Sequence, residues 1–130
     1  MYARQYSLKK RSDIQSLFDR SNTEVGRIDA ETIRLLFLRK REPTDTAPIR
    51  IGVAVGRRSG NAVRRNRIKR VIRDEARACL NTRRPDLTEA LIVMAIYRGT
   101  TFDAKKTRSD FDRAWVKMVD QLNVEVSSGS

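Results

Sequence analysis

The feature that most constrains the fold is a basic stretch at residues 56–77, with the sequence GRRSGNAVRRNRIKRVIRDEAR. Between Arg57 and Arg73 it carries eight lysine or arginine residues and no acid. Apolar residues also recur in and after it, at the i, i+3, i+4 spacing of one buried helical face. These residues are Ile68, Val71, Ile72, Ala76, Cys79 and Leu80. The sequence therefore predicts a helix, ending near residue 80, that is anchored in a hydrophobic core.

The opposite face of this helix is cationic. At about 100° per residue, four side chains fall together there: Asn66, Arg70, Arg73 and Arg77. Like charges one turn apart disfavour a helix by roughly 0.2–0.5 kcal/mol per pair, and Lys69 has such neighbours in both directions, Arg65 and Arg73. A solvated basic face is the plain alternative. The density and single sign of the charges favour a polyanionic partner instead.

The composition indicates the same kind of partner. The 130-residue chain has a net charge of +12 and a pI near 10.8, as is typical of nucleic-acid-binding proteins. A membrane surface is the other anionic candidate, but no segment combines a basic face with a large exposed aromatic face. No apolar run approaches the ~20 residues of a transmembrane helix. We therefore expect no membrane partner and a cytoplasmic location.

Missing residue types exclude several kinds of chemistry. The chain has no histidine and one cysteine, which excludes disulfide frameworks, histidine acid–base catalysis and Cys/His zinc sites. Cys79 falls on the apolar helix face, where a small buried hydrophobe is expected rather than a nucleophile or ligand. Magnesium stays compatible with the sequence, because it prefers oxygen ligands and phosphate-bound water.

The N-terminal part predicts a basic arm followed by a short helix. Residues 1–11 carry four cations and no acid. Ser12 and Gln15 match a capping box, with Ser12 as the N-cap of a helix at about residues 12–20. This helix presents Ile14, Leu17 and Phe18 on one side. Residues 21–30 are polar and predict a loop.

Three segments predict strands. In residues 32–39 the side chains alternate, with Ile33, Leu35 and Phe37 on one face and Arg34, Leu36 and Leu38 on the other. In residues 49–56 the core face is Ile49, Ile51, Val53 and Val55, and the other face is Arg50, Gly52, Ala54 and Gly56. Such a small face permits close approach by a packed helix or by a ligand, and the sequence leaves both open. Residues 89–97 are almost wholly apolar, as in a central strand covered on both faces.

The C-terminal part predicts a long amphipathic helix at residues 104–122. Its buried face is Phe111, Ala114, Trp115, Met118, Val119 and Leu122, with Trp115 in the core rather than a platform for base stacking. Loops are predicted at residues 40–48, 81–88 and 98–103, and a disordered tail at residues 123–130. The order of elements predicts a single domain at residues 1–122, an α/β (α+β) sandwich with three to four strands. General rules would make its β-α-β crossover right-handed.

Residues 60–75, GNAVRRNRIKRVIRDE, resemble the signature of the bacterial ribonuclease P protein subunit family. The matching positions are Gly60, Asn61, Ala62, Val63, Arg65, Asn66, Arg67, Lys69, Arg70 and Arg73. Residues 50–58, RIGVAVGRR, are similar to the strand and basic loop that precede this signature in the family. The resemblance extends over about residues 8–122. It implies a ribosomal-protein-like fold in which the β-α-β crossover is left-handed.

The resemblance also implies a function. Members of the family assist a catalytic RNA, which holds the active site and its magnesium ions and removes the 5′ leader from precursor tRNA. The implied contacts to that RNA are Arg57, Arg58, Asn61, Arg65, Asn66, Arg67, Lys69, Arg70 and Arg73. The leader would lie in a cleft beside the sheet, for which the candidate residues are Phe18, Arg34, Leu36, Arg50, Gly52 and Ala54. No catalytic residue and no metal ligand is assigned to the protein, and no obligate protein partner is expected.

The chain departs from the family pattern at two aromatic positions. The family often has phenylalanine where this chain has Ile14, and it can carry an aromatic residue near Leu36. Stacking of leader bases would therefore depend more on Phe18, for which a place in the core is the alternative.

Two other functions compete with this hypothesis. One is a ribosome-associated RNA-binding protein of similar fold, which the signature disfavours. The other is a self-sufficient nuclease with a metal on Asp13, Asp103 or Asp110. These acids are scattered along the chain and lie mostly at helix starts, where capping explains them.

Overall fold

The computed structural model of the chain describes residue 8 and residues 10–40, 49–85 and 90–128, with side chains described up to residue 123. The described helices are α1 (Arg11–Phe18), α2 (Ala62–Thr82) and α3 (Ala104–Ser128). The described strands are β1 (Gly26–Asp29), β2 (Ile33–Lys40), β3 (Ile49–Val55) and β4 (Ala90–Tyr97). Most of the predicted basic arm and parts of the predicted loops at residues 40–48 and 81–88 lie outside the described residues.

The strands form one mixed sheet in the order β1-β2-β4-β3. β2 is antiparallel to both β1 and β4, whereas β3 and β4 are parallel and are connected through α2. The predicted β-α-β unit and the α+β sandwich are therefore confirmed, and the hand of the crossover stays a prediction. β4 pairs on both sides, which explains its near-continuous apolar sequence.

The larger hydrophobic core lies between the sheet and helices α2 and α3. The six predicted core positions of α2 and the six of α3 are all buried. Trp115 is fully buried, and its Nε1–H donates a hydrogen bond to the carbonyl oxygen of Arg83 at 2.7 Å. Its ring stacks on Phe111 with the centroids 6.0 Å apart. The helical periodicity thus identified the core faces of both helices, and Trp115 is a core residue as expected.

A smaller core lies on the other face of the sheet, where Leu17 of α1 packs. Its buried members among the described residues are Leu8, Leu17, Leu38, Ile92 and Met94. The backbone N–H of Leu8 donates to the carbonyl oxygen of Ile51 at 3.1 Å. A Cβ added to Gly52 would lie 2.8 Å from Met94 Cε and 3.4 Å from Leu8 Cβ. The close approach at Gly52 is therefore made by these two side chains.

The predicted start of the first helix is wrong. Its N-cap is Lys10, which makes no side-chain capping hydrogen bond, and Ser12 lies inside the first turn. The Ser12 carbonyl oxygen accepts a hydrogen bond from Ser16 Oγ at 2.9 Å instead. The helix also ends at Phe18 rather than near residue 20.

Strand β1 lies in a segment for which the sequence predicts a loop. Its four residues pair with β2, so that Ile28 faces Leu35 and Asp29 faces Arg34. Any side chain at Gly26 would collide with the Phe37 ring, which explains the glycine. A strand this short depends on its partner, so local sequence carries little signal for it.

The end of the last helix is also later than predicted. Helix α3 continues to Ser128, so a disordered tail beginning at residue 123 is wrong for residues 123–128. Residues 129–130 lie outside the described residues. Among the described helices, none combines the length and apolar character that crossing a membrane requires.

Candidate nucleic-acid interface

The signature residues Gly60 and Asn61 determine how α2 begins. Gly60 has a φ of 125°, a backbone conformation that side-chain-bearing residues rarely adopt. It follows a one-turn 3₁₀ helix, Arg57–Ser59. Asn61 is the N-cap of α2, and its Oδ1 accepts a hydrogen bond from the Arg64 backbone N–H at 3.0 Å. These two residues aim the basic face, so the signature encodes geometry as well as charge.

The basic face of α2 is open to solvent along its length. Seven of the nine predicted RNA contacts are exposed: Arg57, Arg58, Asn61, Asn66, Arg67, Arg70 and Arg73. The other two, Arg65 and Lys69, are half-buried beside the apolar stripe. The Arg65 Nε is buried and has no hydrogen-bond partner among the described residues. We call these nine residues the α2 surface.

The described residues of the chain do not neutralise the charges of the α2 surface. Within the described part of the chain, none of its arginines or Lys69 forms an ion pair with a carboxylate. Arg67 has a different partner, since its guanidinium lies 6.0 Å from the centroid of the Phe102 ring. Such a dense row of unpaired cations favours binding of phosphates.

A second candidate surface is a pocket of about 730 Å³ between the end of α1 and the sheet. Its lining includes Phe18, Leu36 and Ile96 together with Arg20, Arg27 and Arg34. Phe18 is 47% exposed, so the alternative that placed it in the core is wrong. The pocket offers one aromatic face, an apolar floor and three guanidinium groups. We call it the α1 pocket.

The structure brings together only half of the predicted cleft residues in this pocket. Phe18, Arg34 and Leu36 line it, whereas Arg50, Gly52 and Ala54 lie on β3, on the far side of β4. Their register partners on β4 are Ile92, Met94 and Ile96 respectively.

Sequence reasoning missed Arg20 and Arg27 as lining residues. Arg27 belongs to β1, where it flanks the buried Ile28. The alternation of charged and apolar residues at positions 27–29 was the available signal in the sequence.

Three arginines surround the carboxylate of Asp29 beside the α1 pocket. Asp29 Oδ1 accepts a hydrogen bond from Arg34 Nε at 2.6 Å and lies 3.5 Å from Arg98 Nη1, and Asp29 Oδ2 lies 3.5 Å from Arg27 Nε. The hydrogen bond from Arg34, helped by the charges of all three arginines, outweighs desolvation and holds the pKa of Asp29 below its usual value. We call these four residues the Asp29 cluster.

The acids considered for a nuclease have structural partners instead. Buried Asp13 Oδ1 lies 3.1 Å from Lys40 Nζ, and Asp103 Oδ1 accepts from the Lys106 backbone N–H at 3.2 Å. Asp110 Oδ2 accepts from the backbone N–H and the hydroxyl of Thr32. In the part of the chain that the structure describes, no group of three or more acidic or cysteine side chains is placed to hold a metal.

Comparison with known proteins places this arrangement in a family. The model of the family "Ribonuclease P" matches residues 2–119. The chain belongs to the ribonuclease P protein family. The ribonuclease P protein component of Oceanobacillus iheyensis is 33% identical over 98 residues, which are 75% of this chain and 72% of that protein. The resemblance noted in residues 60–75 is thus confirmed, and the alternative of a ribosome-associated protein is wrong.

Solved structures of the family share the fold. The ribonuclease P protein of Staphylococcus aureus superposes with a TM-score of 0.65 at 20% identity, covering 91% of this chain and 98% of that one. The protein from Thermotoga maritima gives a TM-score of 0.58 at 22% identity, covering 90% and 94%. The family match and the relative from Oceanobacillus iheyensis, rather than the shared fold, show that the chain is a ribonuclease P protein subunit, an RNA-binding protein of tRNA processing that works with ribonuclease P RNA in an enzyme complex.

Proposed function

We propose that the α2 surface binds the ribonuclease P RNA, that the α1 pocket holds the 5′ leader of precursor tRNA, and that the RNA carries out the cleavage. The observation that carries this proposal is the separation of two cationic surfaces. One is a rigid row of unpaired arginines on α2, and the other is a pocket with an exposed aromatic ring. The first suits a folded RNA, and the second suits a single strand.

The α2 surface suits phosphate binding because the helix backbone that carries its charges is held in place by packing. The helix is held by its buried stripe, so the guanidinium groups project from a fixed rod. Arginine binds phosphate through two parallel N–H groups, which adds geometric selectivity to charge. Contacts of this type carry little base-sequence information, so they would position the RNA rather than read it.

The α1 pocket suits a leader of variable sequence. Stacking of a base on an aromatic ring contributes about 1–3 kcal/mol and tolerates any base, and Phe18 offers such a ring. Arg20, Arg27 and Arg34 supply charge for the phosphates. The pocket also lies within the range of ~300–1,000 Å³ typical of ligand sites. Arg50 and Ala54 would extend this path along β3 on the same sheet face, whereas Gly52 lies against Met94 and Leu8.

We assign catalysis to the RNA because the residues that the structure describes offer no suitable catalytic group. It has no histidine, and the candidate acids are engaged in capping, ion pairs or buried hydrogen bonds. Magnesium would be held by RNA and substrate phosphates, with no ligand from the described carboxylates. We place the assembly in the cytoplasm, where precursor tRNA would be met.

Cleavage of precursor tRNA tests the division of labour. The purified chain, the ribonuclease P RNA of its own cell, and the two together are compared at low magnesium. We expect cleavage by the combination, little by the RNA alone, and none by the protein alone. Full-rate cleavage by protein stripped of RNA would overturn the proposal.

The RNA contacts are tested by Arg65→Ala and Arg67→Ala. Each is expected to weaken binding of the ribonuclease P RNA and to reduce the slope of log affinity against log salt by about 0.7–0.9. The matched control is Arg83→Ala, an exposed arginine at the opposite end of α2. If both variants bind RNA normally and instead lose thermal stability, the α2 surface is not the interface.

A further inference from the structure

The Asp29 cluster has no role in either hydrophobic core. The side chains of Arg27, Arg34 and Arg98 are 62%, 29% and 43% exposed, and that of Asp29 is 37% exposed. Three guanidinium groups and one carboxylate leave a formal charge of +2. An arrangement that needed only internal neutralisation would not place three cations around one acid.

The backbone fixes the members of the cluster. Asp29 and Arg34 face each other on the paired strands β1 and β2. The Arg98 backbone N–H donates to the Thr32 carbonyl oxygen at 2.7 Å, which ties the end of β4 to the start of β2. Arg34 uses Nε toward Asp29, and its terminal N–H groups have no partner among the described residues. The cluster is therefore a preorganised set of donors.

The cluster lies where the sheet gives way to the α2 surface. Tyr97 and Val55 are register partners at the ends of β4 and β3. Because these strands are parallel, Arg98 and the basic turn Arg57–Ser59 emerge at the same edge of the sheet. The strand order β1-β2-β4-β3 therefore places a row of cations along this edge. The row runs from Arg27 and Arg34 through Arg98 to the turn before α2.

We propose that the Asp29 cluster is a phosphodiester-binding site in which Arg27, Arg34 and Arg98 bind successive phosphates of the leader strand and Asp29 positions them. The site continues the α1 pocket and directs the strand toward α2. This inference rests on the proposed function, since it assumes that a leader occupies the α1 pocket. Arg98 and Asp29 are the residues it adds.

Because Asp29 is negatively charged, the effect of Asp29→Asn on leader binding can distinguish a positioning role from simple repulsion. A carboxylate beside a phosphate repels it, so an Asp29 without a positioning role would oppose leader binding. Its neutralisation by Asp29→Asn would then strengthen binding. If Asp29 instead holds the arginines in place, Asp29→Asn weakens binding although it removes a repulsive charge. The two roles predict opposite changes.

The experiment uses the enzyme reconstituted with ribonuclease P RNA and two precursor tRNAs, whose leaders have one and ten nucleotides. For Asp29→Asn, kcat/KM for the long leader is expected to fall about three- to tenfold through KM, as loss of one oriented charged contact would cause. The short-leader substrate should be unaffected. The control is Asp120→Asn, the same charge change at an exposed position of α3, which packs on the other face of the sheet.

Arg98→Ala provides a second variant that leaves the carboxylate in place. It should reduce the salt slope of long-leader affinity by about 0.7, the value for one phosphate of a single strand. Arg83→Ala is its control and should not change that slope. Thermal unfolding of each variant verifies that it is folded. If Asp29→Asn does not fold, Arg98→Ala still tests the proposal.

The possible outcomes test the Asp29 cluster and the α1 pocket separately. Tighter long-leader binding in Asp29→Asn, or an unchanged salt slope in Arg98→Ala, overturns the Asp29 cluster as a leader site while the α1 pocket stands. A wild-type enzyme that cleaves both precursors equally overturns the leader pocket itself, and the inference with it.

Discussion

The two faces of the sheet are covered to very different extents. The face under α2 and α3 belongs to a core of 22 buried residues, whereas the face under α1 carries a core of five among the described residues. The second face keeps an open pocket and an exposed phenylalanine. Stability is thus concentrated on one side of the sheet, which leaves the other side available for a ligand. Matched substitutions on the two faces can test this contrast.

The largest loss of stability is expected from Phe111→Ala on the covered face. Phe111 is fully buried and stacks on Trp115. Removing a buried phenylalanine leaves a cavity, and we expect the free energy of unfolding to fall by about 3–5 kcal/mol. Urea denaturation followed by circular dichroism measures it. A loss below about 1 kcal/mol would mean that this face does not dominate stability.

A smaller loss of stability is expected from Asp110→Asn, which weakens the contact of α3 with the start of β2. Burial would raise the pKa of Asp110, but hydrogen bonds from Thr32 and the charge of Arg113 outweigh it and hold the pKa below its usual value. Because Asp110 is buried and its bonds are charge-assisted, we expect a loss of about 1–3 kcal/mol near neutral pH.

The pH dependence of this effect has a definite sign. A depressed folded-state pKa stabilises the fold above the unfolded pKa of about 3.9, and that contribution is lost as pH falls through the folded value. The difference in the free energy of unfolding between wild type and Asp110→Asn should therefore narrow on acidification below about pH 4. Asp120→Asn, an exposed change on the same helix, is the control for the loss of one negative charge. A difference that widens in acid would contradict a lowered pKa of Asp110 in the folded state.

The smallest loss of stability is expected from Phe18→Ala on the open face. Because Phe18 is 47% exposed, we expect the free energy of unfolding to fall by less than about 1 kcal/mol. Leader affinity should nevertheless fall by about 1–3 kcal/mol, since the stacking face is lost. Phe18→Tyr, which keeps the ring, serves as the control. Together with Phe111→Ala, this variant separates a phenylalanine that holds the fold from one that serves binding.

The sequence predicted the covered face far better than the open one. The buried stripes of α2 and α3 repeat over many turns, so their periodicity identifies them without tertiary information. Strand β1 has four residues and one buried apolar side chain, Ile28, and it exists because β2 offers a pairing edge.

The same distinction applies to the candidate sites. The α2 surface is a property of one continuous segment, so its residues could be named from the spacing and from the family signature. The α1 pocket is assembled from α1, β1, β2 and β4, and of its lining only Phe18, Arg34 and Leu36 were predicted from the sequence. The Asp29 cluster depends on the register between β1 and β2 and on where β4 ends, which no local pattern encodes.

Burial of the single cysteine has a practical consequence. The Cys79 thiol donates a hydrogen bond to Asp112 Oδ1 at 3.4 Å, and burial together with that carboxylate raises its pKa far above the usual range. At neutral pH it is almost wholly protonated and resists alkylation. A cysteine introduced at an exposed position would thus be the only readily labelled sulfur, so fluorophores or cross-linkers can be attached to the native background without first replacing Cys79.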